Sequence, residues 1–211
     1  MTKIAIILAV FGLGLASASG QAPAKPEPGA SLDRPVLLII DIQNFYFEGG
    51  KIPLTGPIPA SLKAKALLES FRAKKLPVIH VAHMPKEKPE KPDPQYEIHK
   101  NVTPIPGEAV VVKHYANSFR ETDLDERLRA LGAKTLVICG MQTHMCVEAA
   151  ARFAADAGYR VVLVEDACAT RDLKYKETTV KAAAVHAAVL AALNGNYAKV
   201  ATVDEVKALL K

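Results

Sequence analysis

Cys146 is the first residue of interest, because sulfur next to a strand–helix junction is a reactive arrangement. It lies in Leu136–Ala151, LVICGMQTHMCVEAAA. Leu136 to Cys139 is a short apolar run that reads as a buried strand. Gly140 breaks it, and an alanine-rich helical run extends from Val147 to Ala157. Thr143 is the expected N-cap, its hydroxyl accepting from a first-turn N–H. A cysteine in that first turn meets unpaired N–H groups and the positive end of the helix dipole, and both favour a thiolate. Cys146 is therefore a candidate nucleophile; the other reading is a small buried apolar residue. A thiolate needs somewhere to send its proton. Asp41 ends the apolar run Val36–Ile40, where burial would raise its pKa, and is the candidate base. Lys113 ends the run Ala109–Lys113, where an ammonium would hold the carboxylate and steady the sulfur. Singly, an Asp at a strand end suits a turn and a Lys there suits solvent. Together the three describe covalent attack by sulfur on a carbonyl.

The elements that must position these residues alternate. Strands are expected at 36–40, 77–82, 109–113, 135–139, 160–165 and 199–201. Helices are expected at 61–75, 123–131, 147–157, 178–193 and 204–210. In the first helix Leu62, Leu67, Leu68 and Phe71 share one side, and in the fourth Val180, Ala184, Ala187 and Leu190 do. Thr122 is placed to cap the second. Most strands are apolar on both faces, as central parallel strands are. The fold class is therefore α/β, a doubly wound, Rossmann-like parallel sheet with helices on both faces. In such sheets the reactive crevice lies at the carboxyl ends of the strands. Asp41, Lys113 and Cys146 all fall at or just beyond those ends.

The 211 residues, half of them apolar and none tryptophan, suffice for one domain with an aliphatic core. Lys3, the apolar and glycine run Ile4–Leu15 and the small residues Ala16-Ser17-Ala18 make residues 1–18 an export signal, the alternative being an uncleaved anchor. Residues 19–34 are a flexible lead-in rich in Pro and Ala, and 35–211 the folded domain. Export implies a secreted or periplasmic protein, with no stable membrane association once the signal is removed. The net charge of +5 comes from scattered lysines without interleaved aromatics, which speaks for solubility and against nucleic acid. Three cysteines, Cys139, Cys146 and Cys168, form no disulfide framework. Cys139 is expected in a strand and Cys168 in a strand-end loop, both as packing residues. The segment 84–94, rich in Pro and Lys, is a surface excursion.

The stretches VLLIIDIQNFYF, VVVKHYANSF and VICGMQTHMCVEAAARFAADAGYRVVLVEDACATRD together resemble the isochorismatase-like cysteine hydrolases, over about residues 35–202. The resemblance implies Asp41 as general base, Lys113 as its lysine and Cys146 as nucleophile. It implies a cis peptide between Met141 and Gln142, with the backbone N–H groups of Gln142 and Cys146 as the oxyanion hole. It also implies a homo-oligomer. Isochorismatases that cleave a vinyl ether lack the cysteine, so Cys146 argues for hydrolysis of an amide-like C–N bond through a thioester. The metal-binding nicotinamidase branch carries Asp-x-His where this chain reads HVAHMPKEK, so neither metal nor cofactor is expected. His80 and His83 are three apart and point to opposite faces of a strand. His80 is expected to pack and His83 to line the pocket mouth. Around the small-molecule substrate, the pocket candidates are Gln43, Phe45, His83, Asn117, Phe119, Thr143 and His144. Arg171 and Asp172 are read as a structural loop pair. The competing function is a non-catalytic small-molecule-binding protein on the same fold.

Overall fold

The computed structural model describes residues 31–87 and 91–210. The expected signal at 1–18, most of the lead-in and residues 88–90 of the Pro-rich excursion lie outside the described residues. In chain order the strands are β1 (Pro35–Ile40), β2 (Val78–His83), β3 (Ala109–Lys113), β4 (Thr135–Met141), β5 (Arg160–Ala169), β6 (Leu173–Tyr175), β7 (Thr178–Val180) and β8 (Lys199–Ala201). The α-helices are α1 (Pro57–Ala73), α2 (Leu124–Ala130), α3 (Glu148–Asp156), α4 (Ala182–Leu193) and α5 (Val203–Leu209). Six strands form one parallel sheet in the order β3-β2-β1-β4-β5-β8. β1 and β4 are buried at every residue, which requires cover on both faces. α1 packs with α5 against β5, and α3 packs with α4. The strand order reverses beside β1, between β2 and β4. That switch point opens a crevice at the carboxyl ends of β1 and β4, where Asp41 and Gln142 follow directly.

Local chemistry moves several boundaries. α1 starts at Pro57 because Gly56, in the left-handed region at φ 67°, turns the chain and Pro57 suits the first helical position. Its buried stripe is Ala60, Ala64, Leu67, Leu68 and Phe71, whereas Leu62 is 50% exposed. The Thr122 hydroxyl accepts from Leu124 N–H at 3.4 Å, although Asp123 holds the cap position of α2. β5 runs on to Ala169 because its register against β4 shifts between Ile138 and Gly140. Cys168 is thereby a strand residue opposite Gly140, not part of a loop.

α4 begins at Ala182, and Thr178–Val180 instead pairs antiparallel with β6. β-branched Thr-Thr-Val suits a strand, but the alanines that follow mask the break. The buried stripe of α4 is accordingly Ala182, Val185, Val189, Leu190 and Leu193. Ala184 and Ala187 are exposed. Among the described residues no helix is long and apolar enough to cross a membrane.

Candidate active site

Asp41 leaves β1 at φ 50°, a left-handed conformation that Asp tolerates better than most residues. Its N–H donates to Val81 O at 2.9 Å, which ties the end of β1 to the neighbouring strand β2. Lys113 is the last residue of β3, two strands away, or about 10 Å at ordinary strand spacing. Only a long side chain spans that gap. Lys113 Nζ reaches to 2.8 Å from Asp41 Oδ2, both side chains being wholly buried. The approach is an ion pair off hydrogen-bond geometry, since neither Asp41 oxygen has a hydrogen-bond partner among the described residues. The ammonium instead donates to Cys146 Sγ at 3.2 Å and to Tyr115 O at 3.1 Å. His83 Nδ1 lies 3.4 Å away and accepts if the ring proton is on Nε2. Cys146 is 4% exposed.

Burial dominates the proton affinities. It raises the Asp41 carboxyl above its ordinary value, with Lys113 pulling the other way. Burial first, and Asp41 second, push the Cys146 thiol up to about 12, against the opposing pull of Lys113. This reverses the expectation that the helix start favours a thiolate in the resting protein. One ammonium faces two acids in a dry site, so it balances one negative charge, not two. Asp41 carboxylate with Cys146 thiol is the resting pair. His83 is held below its ordinary value by burial, then by Lys113, and is neutral at pH 7.

The Met141–Gln142 peptide is cis. Gly140 before it has φ 135°, and a Cβ there would meet Ile40 O of β1 at 1.9 Å, so only glycine fits. Thr143–Val147 is a single π-helical turn that runs straight into α3. Thr143 is not the cap: Gln142 holds that position, and the Thr143 hydroxyl pairs with His186 Nδ1 at 3.0 Å.

Above the sulfur is a cavity of about 310 Å³. Its apolar surface comes from Phe45, Tyr46, Ile52, Tyr96, Ala116 and Met145. Polar side chains on the wall are Lys51, His83, Gln142 and Arg171, with Cys146 itself. Asp41 and Lys113 do not line it and stand behind the sulfur. Gln142 Nε2 donates to Tyr46 Oη at 3.3 Å, and Arg171 Nε donates to Gln142 Oε1 at 3.1 Å.

The family model of the Isochorismatase domain matches residues 35–205. The chain belongs to the isochorismatase hydrolase family. It is 46% identical over 172 residues to the uncharacterized isochorismatase family protein YddQ of Bacillus subtilis, covering 80% of this chain and 96% of that one. It is 38% identical to the secreted isochorismatase effector Isc1 of Verticillium dahliae, over 70% of this chain and 79% of the relative. It is 30% identical to the ureidoacrylate amidohydrolase RutB of Rhizobium rhizogenes, over 69% and 74%. The crystal structure of a putative isochorismatase hydrolase from Oleispira antarctica superposes with a TM-score of 0.78 at 43% identity, covering 88% of this chain and all of the other. The family's hydrolases thus include amidohydrolases.

On this isochorismatase fold, the expected site residues separate into two groups. Phe45 and His83 line the cavity with Cys146 and Gln142. Gln43, Asn117, Phe119, Thr143 and His144 do not. Gln43 is fully buried behind the wall, where its amide donates to His83 O and Tyr96 O and accepts from His83 N–H, tying two wall residues together. Asn117 Oδ1 accepts from Phe119 N–H, and Phe119 is buried against Phe153. His144 Nδ1 pairs with Thr170 Oγ1 at 2.6 Å.

His80 is also removed from the cavity, its Nε2 lying 2.9 Å from Glu108 Oε2. Among the described residues no three His, Cys, Asp or Glu side chains group as a metal site would need. Cys139, Cys146 and Cys168 are free and buried.

Sequence reasoning missed Tyr46, Lys51, Ile52, Tyr96, Ala116 and Met145 on the wall. Tyr46 neighbours Phe45 in FYF and was within reach of the same argument. Tyr96 depends on a loop whose path has no periodic signal. Arg171 and Asp172 are not a pair: Asp172 accepts from Lys181 Nζ and from Ala182 N–H at the start of α4, while Arg171 turns to the cavity.

Proposed function

We propose that the protein is an exported cysteine hydrolase that cleaves a C–N bond in a small amide-like molecule. The carrying observation is the ammonium of Lys113, 3.2 Å from Cys146 Sγ and 2.8 Å from Asp41 Oδ2, directly behind the cavity surface. Asp41 takes the thiol proton as the sulfur attacks the carbonyl, so the negative charge moves along a line already matched to one cation. The N–H groups of Gln142 and Cys146 receive the oxyanion. The intermediate collapses by breaking the C–N bond, and the protonated Asp41 delivers its proton to the leaving amine. Water then attacks the thioester, Asp41 accepts its proton, and that proton returns to the departing sulfur. Acid and amine are the products. The amidohydrolase among the relatives supports the C–N assignment.

Export rests on Lys3, the run Ile4–Leu15 and Ala16-Ser17-Ala18, and a secreted relative supports it. The test of the reaction is ammonia release from primary amides and N-carbamoyl compounds, with intact-mass detection of an acyl adduct on Cys146. Turnover that survives Cys146→Ala would overturn it. The high proton affinity of the resting thiol favours one other reading, a binding protein on the same fold. That reading requires that no amide is turned over and that no acyl adduct forms on Cys146. Sequencing of the mature N-terminus after fractionation tests export.

A further inference from the structure

The chain has eight arginines, all among the described residues. Seven have a carboxylate oxygen within 3.6 Å. Arg171 alone has none among the described residues, and it is the arginine on the cavity wall. It is half-buried, so water compensates its charge poorly. Its Nε is occupied by Gln142 Oε1, while its two Nη nitrogens make no hydrogen bond among the described residues.

The other charges near the cavity cancel. Lys51 is paired with Asp93 at 2.7 Å and Lys113 with Asp41 at 2.8 Å. Among the described residues no acidic side chain lines the wall. Among the described residues the cavity therefore presents one uncompensated positive charge, on a planar fork whose terminal nitrogens have no partner there. That geometry matches a carboxylate, which takes two parallel N–H bonds from a guanidinium. A phosphate dianion would call for a second cation, and among the described residues none is unpaired on the wall.

We infer that Arg171 anchors a carboxylate on the substrate, so that the protein takes small amide- or ureido-type molecules bearing a free carboxylate a few bonds from the scissile carbonyl. This rests on the hydrolytic reading for the identity of the bond cleaved, but not for the anion site itself. Arg171 also touches Gln142, whose N–H is the assigned oxyanion donor. The test must therefore separate anchoring from positioning.

Two matched pairs of probes serve: succinamate with succinamide, and N-carbamoylglycine with N-carbamoylglycinamide. The measured quantity is the carboxylate-over-neutral ratio in kcat/KM. In the wild type it should be about tenfold to a hundredfold, the range of a charge-assisted bond. In Arg171→Gln it should collapse towards one, chiefly through KM, and Arg171→Lys should restore part of it. A wild-type ratio near one would overturn the inference. So would a ratio unchanged in Arg171→Gln while both rates fall together, because Arg171 would then only position Gln142.

A second arm measures binding by calorimetry in Cys146→Ala, with and without Arg171→Gln, each variant checked for folding by thermal melting. Carboxylate probes that bind in an Arg171-dependent way, with no probe hydrolysed by wild type, would uphold the anion site and sink the hydrolytic reading. Neutral and anionic probes hydrolysed alike would do the reverse. Absence of Arg171-dependent carboxylate binding at millimolar concentration also overturns the inference.

Discussion

Lys113 Nζ donates to Cys146 Sγ at 3.2 Å from the far side of two strands, and neither atom depends on a loop for its position. The same ammonium faces Asp41, so sulfur and carboxylate compete for one counter-charge in a buried site. The sign of each neighbour's effect on the thiol follows from that competition, and it can be measured.

Asp41 raises the proton affinity of Cys146 and Lys113 lowers it. Asp41→Asn should therefore increase alkylation of Cys146 by iodoacetamide at pH 8 while abolishing amide turnover. Lys113→Met should slow alkylation and lower kcat by about a thousandfold or more, the scale of losing a charge aimed at the reacting group. Alkylation rates followed from pH 6 to 10 check both. Parallel changes in the two variants would refute a shared counter-charge.

Turnover should have an acidic limb set by Asp41. The base must be ionised to accept the thiol proton, and burial raises its carboxyl above the ordinary value of 3.8. Activity should thus fall as pH drops through a value higher than that of an exposed Asp. Because Cys146 is held up to about 12, no second rise belongs at the pH where a free thiol ionises. The profile of kcat/KM against pH decides this, and a rise near pH 8.5 assigned to Cys146 would contradict it.

Gly140→Ala should destabilise the protein by about 3 kcal/mol or more, since the added carbon would overlap the β1 backbone and force the two central strands apart. Urea unfolding should show a lower midpoint. The variant should also lose turnover under conditions where it remains folded, because the same residue leads into Met141–Gln142.

Glu108 ties β3 to α1. Arg72 Nε and Nη2 each donate to it at 2.7 Å, and His80 Nε2 lies 2.9 Å away. Burial pushes the Glu108 carboxyl up, but Arg72 and the Ile105 N–H outweigh it and hold it at about 2. A depressed carboxyl contributes stability above its unfolded value of 4.5 and loses it as pH falls towards 2. Glu108→Gln should lower Tm at pH 7, with the gap to wild type narrowing by pH 3. A gap of equal size at both values would remove the ion pair as its cause.

The sequence by itself determined the parallel α/β fold. Continuous apolar strands such as VLLII and LVIC must be covered on both faces, and only helices on both sides of a sheet provide that. It also determined the order of reactive residues, because a residue that ends such a strand falls on the carboxyl edge wherever the strand sits. Only the tertiary structure decided which strands are neighbours, and hence that Lys113, level with the end of β2, meets Asp41 and Cys146. It decided the wall of the cavity too. Gln43, Asn117, Thr143 and His144 lie near reactive residues in sequence, yet their polar atoms are taken up by backbone and side-chain partners and they do not line the cavity. Tyr96 and Arg171 come from segments with no periodicity and reach the cavity through contacts dozens of residues apart. Strand burial is a local property that residue type encodes. The direction of a loop side chain depends on which distant partner satisfies it, and that information is absent until the chain has folded.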